Sequence, residues 1–167
     1  MTKEEKDKIV AAVRAQVDAD CPPQNGGGLC LFLAVKLCNE LGKHGIRAVL
    51  QAGSAQWKCM AIDDGVSPTH FAYMWEMSPL TKLRLSQGKM PEMHCWVGLP
   101  DTQEIVDIST RDLVMQAKLR ADITWTANPP PDYIWSDAEH FPDEARYIVD
   151  PLATIVALSF AKLSLDF

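Results

Sequence analysis

Gly26-Gly27-Gly28-Leu29-Cys30-Leu31-Phe32-Leu33-Ala34-Val35-Lys36-Leu37-Cys38-Asn39-Glu40-Leu41 sets a thiol just after a glycine run, at the head of an apolar segment. The segment predicts a helix from near Cys30 to Gly42 or Gly45, where a left-handed C-cap is easily formed. It is apolar over most of its circumference, so it belongs at the centre of the domain. A cysteine at a helix N-terminus faces unpaired backbone N–H groups and the positive end of the macrodipole. Such a setting lowers a thiol pKa from about 8.5 into the range of roughly 3.5–7.5, which makes Cys30 a candidate nucleophile at neutral pH.

The flanking sequence supplies the other elements. Thr2-Lys3-Glu4-Glu5 has the form of a capping box, and Ile9, Val10, Val13 and Val17 follow at helical spacing, predicting a first helix to about Asp18. The run Cys21-Pro22-Pro23-Gln24-Asn25-Gly26 interrupts it. Beyond Gly45 the pattern changes to short β-prone runs at 46–52, 56–62, 71–77, 93–99 and 104–109, divided by Gly, Pro, Asp and Ser. Residues 78–91 read as a longer excursion, and Thr110 to Arg120 as a short helix. Asn128-Pro129-Pro130-Pro131 is held extended by its prolines, and Asp150-Pro151 opens a last helix to about Leu163. Helices first and adjacent strands afterwards predict an α+β fold: a central Cys-bearing helix packed on an antiparallel β-sheet.

The 167 residues (18.5 kDa) suit a single domain spanning 1–167. A net charge of −6 and a pI near 5.1 argue against nucleic acid or an anionic membrane as partner. The charged N-terminus predicts no signal peptide, and no apolar run has membrane-spanning length, so a cytoplasmic protein is expected. Five cysteines, an odd number without a Cys-x-x-Cys pair, predict reduced thiols rather than a disulfide framework or a metal site.

Cysteine-based acyl transfer needs a base and a group that orients the base. His94, in Met93-His94-Cys95-Trp96-Val97, is the candidate base, and Asp107, in Ile105-Val106-Asp107-Ile108, the candidate orienter. A hairpin around 100–103 sets Leu99 opposite Glu104, Trp96 opposite Asp107 and His94 opposite Ser109. All four of His94, Trp96, Asp107 and Ser109 then share one face, with His94 and Asp107 as diagonal neighbours about 7–8 Å apart by backbone. A slip of one residue turns Asp107 away. The Cys30 N–H, with a side-chain amide of Gln24 or Asn25, offers an oxyanion hole. His70 is a second candidate base or a lining residue of the substrate cleft, and Trp96 is core or cleft wall.

The order of a cysteine at a helix start, His94-x-Trp96 on a strand and Asp107 on the next strand resembles the transglutaminase-like branch of the papain-like cysteine peptidase and acyltransferase superfamily. It resembles most the bacterial transglutaminase-like cysteine peptidases, through Ile46-Arg47-Ala48 and His94-Cys95-Trp96-Val97 as well. The likeness covers about 24–110. It implies Cys30 as nucleophile, His94 as base, Asp107 as orienter and Gln24, six residues before Cys30, in the oxyanion hole. Leu31 stands where papain-type proteases carry tryptophan, so the match is to the broad fold. The expected function is acyl transfer from a peptide or isopeptide amide of a peptide or protein substrate, by hydrolysis or transamidation, with no cofactor and no metal. A non-catalytic binding or structural protein on the same scaffold is the rival reading.

Overall fold

A computed structural model describes residues 1–20 and 28–165. The chain runs α1 (Lys3–Asp20), α2 (Leu29–Lys43), β1 (Val49–Lys58), β2 (His70–Tyr73), α3 (Pro79–Ser86), β3 (His94–Leu99), β4 (Glu104–Asp107), α4 (Leu113–Ala121), β5 (Ile134–Ser136), β6 (Arg146–Val149) and α5 (Pro151–Leu165). It is an α+β fold with an antiparallel sheet. The capping box forms: the Thr2 N–H donates to Glu5 Oε2 at 2.7 Å, and the Glu5 N–H to Thr2 Oγ1 at 3.3 Å. The 78–91 excursion holds α3, whose start is capped by the Ser78 hydroxyl accepting from the Thr81 N–H.

The sheet runs β2-β1-β3-β4-β5, and β6 also pairs with β1. Gly53 pairs with both His94 and Val149, and Ala55 with both Tyr73 and Tyr147. Each residue has only two hydrogen-bonding sides, so β6 runs along one edge of β1 while β3 and then β2 share the other. That shared edge curls the sheet. α1, α2 and α5 cover one face, over Ala52, Cys95, Val97, Leu99 and Val106. A second core, with Trp57, Phe71, Tyr73, Leu113 and Ile134, covers the other. All six residues of β3 are therefore buried, as a strand covered on both faces must be. No helix among the described residues is long and apolar enough to cross a membrane.

The sequence reading divides 46–62 into two strands, but β1 is one strand of ten residues. Gly53 looks like a break and serves instead as a point of close approach, because a Cβ there would lie 2.0 Å from the Ile148 carbonyl oxygen. Gly53→Ala is expected to push β6 off β1 and cost about 3 kcal/mol, read from the urea midpoint. An unchanged midpoint would show that β6 does not depend on this contact.

Candidate active site

α2 begins without a side-chain cap after Gly28 (φ 88°), and its first helical bond runs from the Phe32 N–H to Gly28. The N–H groups of Leu29, Cys30 and Leu31 are thus left outside the helical ladder. Half-buried Cys30 lies in the first turn, and Gly28, Leu29 and Cys30 line a cleft of about 90 Å³ that His94 and Ser109 also line.

His94 opens β3 and Asp107 closes β4, and each is 1% exposed. The hairpin takes the expected register, with Leu99 opposite Glu104 and Val97 opposite Val106. His94 Nε2 and Asp107 Oδ2 are 2.8 Å apart in a hydrogen bond. The same Oδ2 accepts from the Tyr147 hydroxyl at 2.8 Å. Oδ1 accepts from the Ser109 N–H at 2.9 Å and from the Ser109 hydroxyl at 2.6 Å. A carboxylate with four donors is a rigid anchor, and it survives burial because it is fully satisfied.

Aromatic rings fix the imidazole plane. Tyr73 stacks on it at 5.1 Å and 28°, Trp96 lies at 6.0 Å and 23°, and Trp57 meets it edge-on at 5.0 Å. The remaining ring nitrogen, Nδ1, is buried without a hydrogen-bond partner. Cys30 makes no close hydrogen bond to that atom, yet it lies near enough to the ring to affect its protonation. Nδ1 is therefore the nitrogen open to a thiol or to a substrate.

The electrostatics favour charge separation. Burial pushes the His94 pKa down, but the charge and hydrogen bond of Asp107, then the Cys30 thiolate, outweigh it and raise the value to about 10. The Cys30 thiol is driven well below 9.0, first by hydrogen bonding from the neighbouring Cys95 thiol and then, against burial, by the imidazolium. Cys95 moves the opposite way, well above 9.0, because it keeps its proton beside the Cys30 thiolate. Burial pushes the Asp107 carboxyl up, and the imidazolium and Ser109 bring it below its ordinary value. Together these point to thiolate and imidazolium at neutral pH.

Cys30, His94 and Asp107 come together at one end of β3. Trp96 is 1% exposed and outside the cleft lining; its indole N–H donates to Gln51 Oε1 at 2.9 Å, and its ring packs against His94. His70 also lies away from the cleft, 3.6 Å from Glu144 Oε2 and hydrogen-bonded to Thr69 at 3.0 Å. Gln24 lies outside the described residues. Among the described residues, no group of three or more His, Cys, Asp or Glu is arranged to hold a metal ion.

The sequence reading missed Tyr147, Tyr73, Arg84, Gln116 and Arg120, and gave Cys95 no role in the site. Tyr147 had no local signal, since it reaches Asp107 only through the pairing of β6 with β1. Cys95 did have one: strand alternation turns it toward α2 when His94 faces the other side. Compared with family models, curated proteins and solved structures, the chain matches none of them.

Proposed function

We propose that this chain is a cysteine-nucleophile acyl-transfer enzyme acting on a peptide or isopeptide amide of a peptide or protein substrate, on a transglutaminase-like, papain-like scaffold. The observation that carries the reading is the fully anchored Asp107–His94 pair. Its second imidazole nitrogen is buried and unpartnered beside a half-buried thiol in the first turn of a helix.

The Cys30 thiolate attacks the amide carbonyl carbon, and the carbonyl electron pair moves onto oxygen. The N–H groups of the first turn of α2 are the proposed backbone donors to that oxyanion, with Gln24 as the proposed side-chain donor. Collapse of the intermediate breaks the C–N bond as the His94 imidazolium gives its proton to the leaving amine. A thioester on Cys30 and a neutral His94 remain. His94 then takes a proton from water or from an acceptor amine, which attacks the thioester and expels the Cys30 thiolate. Asp107, held by Ser109 and Tyr147, keeps the imidazole in one tautomer and one plane throughout. The scheme needs no metal or organic cofactor. Cys30, Cys38, Cys59 and Cys95 are all free thiols, which supports a reducing compartment such as the cytoplasm.

Screening labelled peptide and isopeptide amides against wild type and Cys30→Ala tests this reading. The expected result is turnover by wild type, a thioester on Cys30 detectable by mass, and a loss of more than about 10³-fold in the variant. Equal turnover by the two proteins would overturn it. Tight binding without turnover by both would favour a binding protein on the same scaffold.

A further inference from the structure

One face of α4 forms a wall of the cleft. Leu113, Gln116 and Arg120 all line it, and their spacing of three and four residues places them in one row along the helix. Arg84, in the last turn of α3, lines the cleft as well. Gln116 is only 7% exposed, yet its amide makes no hydrogen bond within the described residues and is not sealed from the cleft. A nearly buried amide kept open toward a cleft is matched to an incoming polar group.

Neither Arg84 nor Arg120 has a carboxylate partner among the described residues. Arg120 lies over the Tyr73 ring, 4.7 Å from its centroid, and that same ring stacks on His94 at 5.1 Å. One aromatic ring thus separates the guanidinium from the base. The acid beside α4, Asp112, is already taken by Arg14 at 2.8 Å, and Glu92 is exposed at the rim. In a chain of net charge −6, two arginines without acid partners at the mouth of the cleft run against the overall charge. A guanidinium presents a planar fork of donors that fits carboxylate and phosphate oxygens.

We propose that the cleft selects acyl donors bearing an anionic oxygen group beside the scissile amide, with Arg84 and Arg120 holding the anion and Gln116 the adjoining peptide group. This rests on the reading of Cys30 as a reactive thiolate. It adds a substrate class to that reading: acidic or phosphorylated peptides rather than neutral or basic ones.

Two small alkylating agents separate the two claims. Iodoacetamide is neutral, and iodoacetate carries a carboxylate next to the reacting carbon. With either, the Cys30 Sγ–C bond forms, the C–I bond breaks and iodide leaves. The ratio of the iodoacetate rate to the iodoacetamide rate at Cys30 is expected to fall by about tenfold in the Arg84→Gln, Arg120→Gln double variant. The Arg84→Lys, Arg120→Lys pair should retain part of the ratio. The iodoacetamide rate, measured in each protein, corrects the ratio for any change in thiolate reactivity, and a rate above that of a free thiol reports that the variant keeps its fold. In wild type, millimolar inorganic phosphate should slow iodoacetate selectively, a measurement that needs no variant. A fast iodoacetamide reaction with a ratio unmoved by the Gln pair or by phosphate would overturn the anion site and leave the enzyme reading intact. An iodoacetamide reaction no faster than that of a free thiol would overturn the enzyme reading instead.

Discussion

Replacing His94 by alanine is expected to turn a pH-independent thiol reaction into a steeply pH-dependent one. In wild type, Cys30 is held as thiolate by Cys95 and by the His94 imidazolium, so its alkylation rate should be flat between roughly pH 6 and 8. A thiol S–H is a weak donor, whereas the imidazolium brings a full charge. Without it, Cys30 returns toward its ordinary value of 9.0. The rate in His94→Ala should then rise about tenfold per pH unit, or about 100-fold from pH 6 to 8. The slope is a better readout than the rate at one pH, because a thiolate of higher pKa is intrinsically more nucleophilic and offsets part of its scarcity. Cys95→Ala should tilt the profile much less. Parallel profiles for wild type and His94→Ala would rule out the ion pair. The same substitution strands a buried carboxylate. Tyr147 and Ser109 still donate to Asp107, so a loss near the lower end of about 3–5 kcal/mol is expected in urea unfolding.

Cys30→Ser should change how stability depends on pH, with opposite consequences on the two sides of the pair. His94 is raised from 6.5 to about 10, so its contribution is complete below 6.5 and lost as pH rises through 10. Cys30 is depressed, so its contribution is present above 9.0 and lost as pH falls through its folded value. Between 6.5 and 9.0 the unfolded chain carries one proton on the thiol and the folded chain carries one on the imidazole. The counts match, and wild-type stability should be level across that window as far as this pair is concerned. Serine carries no such thiol proton to lose, while Asp107 still holds the imidazolium. The variant should therefore lose stability relative to wild type as pH rises above 6.5, at up to about 1.4 kcal/mol per pH unit. Unfolding free energies at pH 6, 7, 8 and 9 give the difference directly, since every other titrating group is common to both proteins. A difference that stays constant with pH would mean that the folded protein holds thiol and neutral imidazole.

Some of the site was readable from residues near one another in the chain. The capping box at Thr2 and Glu5, the apolar helix carrying Cys30 and the 94–109 hairpin all rest on contacts over short sequence distances. In the hairpin, the Pro100–Gln103 turn specifies one register, and a slip by one residue would turn Asp107 away from His94. That register sets His94 beside Asp107 before any long-range contact is considered.

Contacts between distant residues followed a different logic. Gly53 reads as a strand break until Ile148, almost a hundred residues later, is packed where its side chain would be. Arg146 to Val149 follow an irregular, proline-punctuated stretch, and they become a strand because β1 has an open edge to pair with. Tyr147 then gains its role, since the same pairing carries its hydroxyl to Asp107. Arg84, Gln116 and Arg120 belong to two short helices with unremarkable local patterns, and only the tertiary fold brings them to one cleft.

By itself the sequence determined the α+β class, the helices at both ends and around Cys30, and the pairing of His94 with Asp107, since turn chemistry and hydrophobic period act over a few residues. The tertiary structure decided how the start of α2 meets the start of β3, so that Cys30 lies beside Cys95 and the imidazole. It also decided which side chains hold Asp107 and which line the cleft. Those outcomes depend on burying apolar faces of elements far apart in the chain, and no local pattern records where such faces will meet.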